Sequence, residues 1–182
     1  IHEKRDEELE RLWEAGVRHL YLGIESGLPD VLAFMNKDHI PEQAYTEIER
    51  IRRAGMIYDA HIMTGIAGKG RGIENAEKTA EFLNATRPRH VINFSMFLHR
   101  EAPLYRDIEQ GYFVPADELE NLKEEKHLLE LLDVEGLKYD GFHDFVQFRV
   151  RGTFPADKEK MIAKVSDAID KNERKKPVLA VI

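Results

Sequence analysis

The sequence predicts an α/β fold built on a parallel sheet, with about three strand-helix units followed by a C-terminal α+β extension. Two observations carry this expectation. The order helix, glycine, apolar strand, loop, helix occurs twice, around Tyr21-Leu22-Gly23-Ile24 and Tyr58 to Thr64, and a third helix-strand copy follows at Val91 to Leu98, led in by Arg87-Pro88-Arg89. Strands separated by helical patterns of about 10 to 15 residues call for crossover connections, which pair their strands in parallel. The repeat then lapses, so residues 1–115 read as the strand-helix portion and 116–182 as a helical and edge-strand extension packed on it.

Each element has a local cause. From Asp6 to Ala15, Leu9, Leu12 and Trp13 share one helix face and Gly16 ends it. The run Tyr21 to Ile24 lacks clean alternation and reads as a strand buried on both faces. It ends in Glu25-Ser26-Gly27, and a helix starts at Pro29 or Asp30 and runs to about Asn36. Pro41 opens another helix, with Ala44, Ile48 and Ile51 aligned, that lasts until Gly55. After the strand Tyr58 to Thr64, a glycine-rich turn leads into a helix bearing Ile73, Ala76, Ala80 and Leu83. Arg87-Pro88-Arg89 precedes the third strand, Val91 to Leu98. His99 to Tyr112 reads as a long loop with a short helix near Leu104 to Gln110, and long loops in compact domains usually serve function. A helix from Ala116 to Leu132, an alternating edge strand at Val146 to Arg151 and a helix from Pro155 to Asn172 complete the chain. Leu179 to Ile182 is an apolar tail that either adds a strand or stays free.

Composition narrows the function. The 182 residues can bury one sizeable core, and a net charge of −7 argues against a dedicated nucleic-acid surface. There are no cysteines, which excludes disulfides, thiolate-bound zinc and iron-sulfur ligation by this chain. No apolar run reaches the roughly 20 residues of a membrane-spanning helix, and the charged first residues do not form a signal peptide. A cytoplasmic location is therefore expected. Ile1 in place of Met, directly before a helix, fits a piece of a longer protein.

Glu25 stands where a parallel strand ends, the edge at which such sheets bind ligands. It could equally favour the positive N-terminus of the helix that follows. Gly65-Ile66-Ala67-Gly68-Lys69-Gly70-Arg71-Gly72 has the order of a phosphate loop. It lacks the Gly-Lys-Ser/Thr ending and the spacing of a dinucleotide fingerprint, and a plain turning loop fits Lys69 to Gly72 as well. His61, His90, His99, His127 and His143 show no metal-ligand spacing, and no G-x-S-x-G elbow is present. The charges from Glu118 to Glu130 read as a solvated helix face.

Taken in order, several segments resemble radical S-adenosylmethionine enzymes. Gly16-Val17 through Gly23-Ile24-Glu25-Ser26-Gly27, with Asp30-Val31-Leu32 and Met35-Asn36-Lys37, is similar to the family's fourth strand and helix. The similarity continues through Arg53-Ala54-Gly55, and Ile62-Met63-Thr64-Gly65-Ile66-Ala67-Gly68 resembles the fifth strand and its turn. Phe97 to Phe113, with Ala102-Pro103-Leu104-Tyr105 and Gly111-Tyr112, resembles the loop after the sixth.

The resemblance implies a partial, half TIM-type barrel. It also implies a cofactor edge at which Glu25 meets the ribose or amine of S-adenosylmethionine, with Ser26 nearby, Ile66 and Ala67 against adenine, and Phe97 closing the other side. Lys69-Gly70 and Glu101-Ala102 depart from the family's Glu-Thr and Gly-Thr. The family's C-x-x-x-C-x-x-C is absent, so no catalytic residue or metal ligand is expected here. By resemblance, S-adenosylmethionine and a [4Fe-4S] cluster belong to a parent iron-sulfur oxidoreductase of unspecified substrate. The chain would be its C-terminal part, inactive alone. The competing expectations are a strand-helix domain binding a phosphate-containing ligand at Gly65 to Gly72, and an interaction module without catalysis. The open sheet edges also predict a homodimer of the isolated chain.

Overall fold

A computed structural model describes residues 1–182. The elements are α1 (Asp6–Glu14), β1 (His19–Glu25), α2 (Pro29–Phe34), α3 (Pro41–Arg53), β2 (Ile57–Thr64), α4 (Gly72–Thr86), β3 (His90–Ser95), α5 (Pro103–Glu109), α6 (Glu118–Leu131), β4 (Lys138–His143), β5 (Phe148–Thr153) and α7 (Lys158–Glu173). The sheet order is β1-β2-β3-β4-β5. The first four strands are parallel, and β5 returns antiparallel to β4. Every crossover advances one strand in the same direction. With crossovers of one hand, that order stacks the helices on a single face, as in a barrel wall, and not on both faces as in a doubly wound sheet.

Alternation along the strands sets the two faces. Ile24, Tyr58, Ala60, Ile62, Val91, Tyr139 and Val150 join one core with Leu83 of α4, Leu122, Leu128 and Leu129 of α6 and Val165 of α7. Each such aliphatic contributes about 1.5–3 kcal/mol on burial. The opposite face is open: Tyr21 is 55% and Phe94 38% exposed. The expectation that β1 is buried on both faces is thus corrected, because no layer covers its second side in this chain.

Two other details differ from expectation. Lys138–His143 forms a fourth parallel strand. Its helix-facing side chains are Tyr139 and His143, and Asp140-Gly141 between them resembles turn chemistry, so the segment carries no apolar run. The edge strand is displaced to Phe148–Thr153, since Asp144–Val146 forms a 3-10 turn that closes the β4-β5 hairpin. The C-terminal tail pairs through a single parallel bridge, Leu98 with Val181.

Candidate functional site

Glu25 closes β1 in the left-handed region, with φ of 63°. The pairing register with β2 slips between Gly23 and Glu25. A non-glycine residue here is strained, and the local ladder gains nothing from it, as is common where backbone geometry serves a ligand. The carboxylate folds back toward Gly23, where a Cβ would lie 2.8 Å from Oε1. Lys37 Nζ holds Oε1 at 3.1 Å. Gly23 shares the open face with Tyr21, so the acid lies at the C-terminal end of the uncovered side.

Ser26 points away from that side. Its hydroxyl is buried, donates to Asn75 Oδ1 and accepts the Leu28 N–H at 3.0 Å. The Gly27 N–H donates to Thr79 Oγ1 at 3.0 Å, and α4 backbone lies where a Cβ on Gly27 would stand. Asn75 Nδ2 donates to Glu124 Oε1 at 2.6 Å, and the Gly65 N–H donates to Glu124 Oε2 at 2.9 Å. Gly65 has φ of 83°, and Asn121 occupies the space a side chain would need.

The other strands end on the same helix. Ser95 donates to Glu118 Oε1 and Asn121 Nδ2 donates to Ser95, each at 2.9 Å. His143 lies between Glu118 and Glu125, with Nδ1 2.9 Å and Nε2 3.1 Å from their Oε2 atoms. Asn93 and the Tyr139 hydroxyl donate to Glu125 Oε1 at 3.0 and 2.8 Å. α6 therefore receives the exits of all four parallel strands through polar groups, that of β1 by way of Asn75. Burial works against the His143 imidazolium, but Glu125 and Glu118 outweigh it and raise its pKa to about 9. Burial raises Glu124 to about 7, against the pull of Asn75 and the Gly65 N–H.

This corrects the reading of Glu118 to Glu130 as a solvated face, because Glu118, Glu124 and Glu125 are all buried. A signal was present in the sequence. Glu118, Leu122, Glu125, Leu129 and Leu132 follow alternating spacings of four and three, which puts two of the acids on the leucine stripe itself.

Ile66 and Ala67 are buried with Leu28, Val31, Met96, Leu98 and Phe113. Phe97 is 54% exposed beyond the end of β3. The sequence-predicted residues thus divide: Glu25 and Phe97 present groups to the surroundings, whereas Ser26, Ile66 and Ala67 build the turns behind them. A cleft of about 330 Å³ runs beside this cluster between Asp30, Phe34, Lys69, Arg71, Tyr112 and Phe113. In the glycine-rich loop, the Gly65 N–H goes to Glu124 and the Lys69 N–H to the Val114 carbonyl. Arg71 is held by Asp30 and Glu74 at 2.8 and 2.9 Å. These donors are already committed to protein acceptors.

Across the open face, rings form a row that sequence reading does not isolate. Tyr21, His61, Phe94 and Phe142 follow one another with centroids 5.5, 5.9 and 5.4 Å apart, and the Arg149 guanidinium covers Phe142 at 4.0 Å. Arg149 and Arg151 both bind Asp140. Burial opposes that carboxylate, yet the two guanidiniums prevail and hold its pKa below the ordinary value. No group of side chains with the makings of a metal site is present, and no helix is long and apolar enough to cross a membrane.

Comparison with known proteins agrees with this architecture. No curated protein sequence matches. Among solved structures, the archaeal Methanocaldococcus infernus Elp3 with an N-terminal deletion (1–46) superimposes with a TM-score of 0.68 at 16% identity. The match covers 94% of this chain and 40% of that one, so the chain spans less than half of that structure and shares its fold. Residues 2–83, which include Glu25, Ser26 and the turn at Ile66-Ala67, match the family model of the Radical SAM superfamily. The similarity to the superfamily is confined to that segment and the partial-barrel sheet it belongs to, and the chain holds no cysteine with which to form a C-x-x-x-C-x-x-C segment.

Proposed function

We propose that this chain is the C-terminal part of a radical S-adenosylmethionine oxidoreductase and supplies one wall of its S-adenosylmethionine site. The observation that carries the proposal is Glu25, a carboxylate held in strained backbone at the ligand-binding end of β1 and folded over a glycine on the open face. The residues present fit the organic cofactor. Glu25 offers acceptors to hydroxyl or ammonium groups, and the Ile66-Ala67 turn puts apolar backbone and side chains at the neighbouring strand exit. Ser26 sets the turn that carries Glu25, and Phe97 offers a ring for stacking at the exit of β3. Bound beside a reduced cluster, S-adenosylmethionine would supply a carbon-centred radical.

The residues do not fit the [4Fe-4S] cluster, since the chain has no thiolate. Its ligands belong to another part of the parent protein, and this chain alone is inactive. The row Tyr21, His61, Phe94 and Phe142 would face the barrel interior, where the substrate of the parent enzyme lies.

Reconstitution of the full-length protein with iron and sulfide tests the reading. An iron-sulfur absorption band perturbed by S-adenosylmethionine, with the perturbation weakened about tenfold or more in Glu25→Ala, is expected for the loss of charge-assisted hydrogen bonds. A parent sequence without a C-x-x-x-C-x-x-C upstream would sink the proposal.

A further inference from the structure

We infer that Glu124 is a positioning residue for the cofactor edge: its single carboxylate, directly and through Asn75, ties the turn after β1 to the turn after β2. The inference rests on the proposed function for what those turns hold, and on geometry for the tie itself.

The pairing of β1 with β2 ends at Glu25 opposite Ile62, after the register slip. Beyond that point Ser26 and Gly65 have no ladder partner in each other, because the β1-β2 pairing stops at Glu25 and Ile62 while β2 continues along β3 only, Thr64 beside Ser95. The polar path that joins them runs Ser26 hydroxyl to Asn75, Asn75 amide to Glu124 Oε1, and Gly65 N–H to Glu124 Oε2. Both neighbours of Glu124 in this path are donors. A carboxylate is the side chain that accepts on both oxygens, whereas an amide would turn its own N–H₂ toward one of them.

Ser26, Asn75 and Glu124 are all at least 97% buried, so none is there for solubility. A buried polar chain is costly unless every member is satisfied, and an aliphatic filler would be cheaper. What the polar chain adds is a fixed separation between two turns. One carries Glu25 and the other carries Ile66 and Ala67. Glu124 comes from a helix that lies outside the segment matching the superfamily and meets the turn after β1 only through Asn75.

The test uses reconstituted full-length protein, with affinity for S-adenosylmethionine read from its iron-sulfur absorption and local order read by hydrogen exchange of peptides spanning 26–28 and 65–68. Glu124→Ala is expected to speed exchange in both turns and weaken S-adenosylmethionine binding about tenfold, the scale of a buried bond left unmade. Asn75→Ala should loosen 26–28 while sparing 65–68. Glu124→Gln keeps one of the two bonds and should restore part of the affinity. Leu122→Ala, on the same helix but outside the path, should lower thermal stability at unchanged affinity, which separates positioning from plain destabilisation.

Affinity within twofold of wild type in folded Glu124→Ala would overturn the inference, as would faster exchange in one turn alone. Where Glu124→Ala does not fold, Asn75→Ala decides: faster exchange at 26–28 together with weaker S-adenosylmethionine binding upholds the inference, and affinity within twofold of wild type overturns it. A wild-type protein without any response to S-adenosylmethionine defeats the proposed function instead. The exchange measurements then decide on Glu124 by themselves, with joint loosening of both turns upholding the tie.

Discussion

The Glu25 carboxylate lies over Gly23, so close that a methyl group on residue 23 would stand 2.8 Å from Oε1. The clash is with the far end of a flexible side chain, which can swing aside. Gly23→Ala should therefore cost less than about 1 kcal/mol of stability. Displacing the carboxylate from the open face should nonetheless weaken the S-adenosylmethionine response of the reconstituted protein about tenfold, a scale set by loss of a charge-assisted bond. Thermal unfolding and cofactor titration on the same sample distinguish the two effects. A large loss of stability with unchanged binding would mean that the carboxylate has no ligand role.

His143 is clamped between Glu118 and Glu125 at 2.9 and 3.1 Å, with all three side chains buried. Removing the cation leaves two buried carboxylates facing each other. His143→Ala should cost about 3–5 kcal/mol in chemical denaturation. Tyr139→Phe removes one donor to Glu125 and keeps the ring, so its cost should be smaller, about 1–3 kcal/mol. The reverse ranking would show that the clamp is not the dominant interaction.

The same groups fix the pH dependence. His143 binds its proton more tightly folded, near 9, than at its ordinary 6.5, and Glu124 near 7 against 4.5. The folded state holds more protons in both cases, so stability must fall as pH rises. Glu124 contributes fully below about 4.5 and its share is lost through about 7; the share of His143 is complete below about 6.5 and is lost through about 9. Urea denaturation at successive pH values should show a decline from pH 6.5 to 9 that His143→Gln flattens. A rise over that interval would contradict the clamp.

How much of this was legible depended on where apolar pattern coincided with position. Leu9, Trp13, Ile48, Ile51 and Leu83 announced their helices because periodicity and burial agree. β4 escaped because its core face is Tyr139 and His143, which find acids of α6 instead of aliphatic neighbours. Glu25 was visible as an acid at the end of a strand, but nothing in the sequence indicates that Ser26 turns inward to Asn75. Spacing reports which residues share a face; it does not report which donor lies opposite which acceptor across a 49-residue separation.

Glycine positions offer the last check, because three of them differ in what surrounds them. At Gly141 an added Cβ would fall 1.9 Å from Glu125 Oε1, a carboxylate already fixed by Asn93, Tyr139 and His143. At Gly27 it would fall 2.3 Å from the backbone of Lys78, which cannot move without shifting α4. At Gly70 nothing lies within 4 Å, although φ is +77°. Gly70→Ala should thus show only the left-handed backbone cost, about 1–2 kcal/mol. Gly27→Ala and Gly141→Ala carry no left-handed cost, but contacts this short put their overpacking at about 3 kcal/mol or more, and at Gly141 a buried polar network is disrupted besides. The predicted order of denaturation midpoints is Gly70→Ala highest, Gly27→Ala lower and Gly141→Ala lowest. Equal midpoints for Gly70→Ala and Gly141→Ala would mean that Glu125 can leave its partners at no cost, and the polar seam along α6 would then not be the rigid element described above.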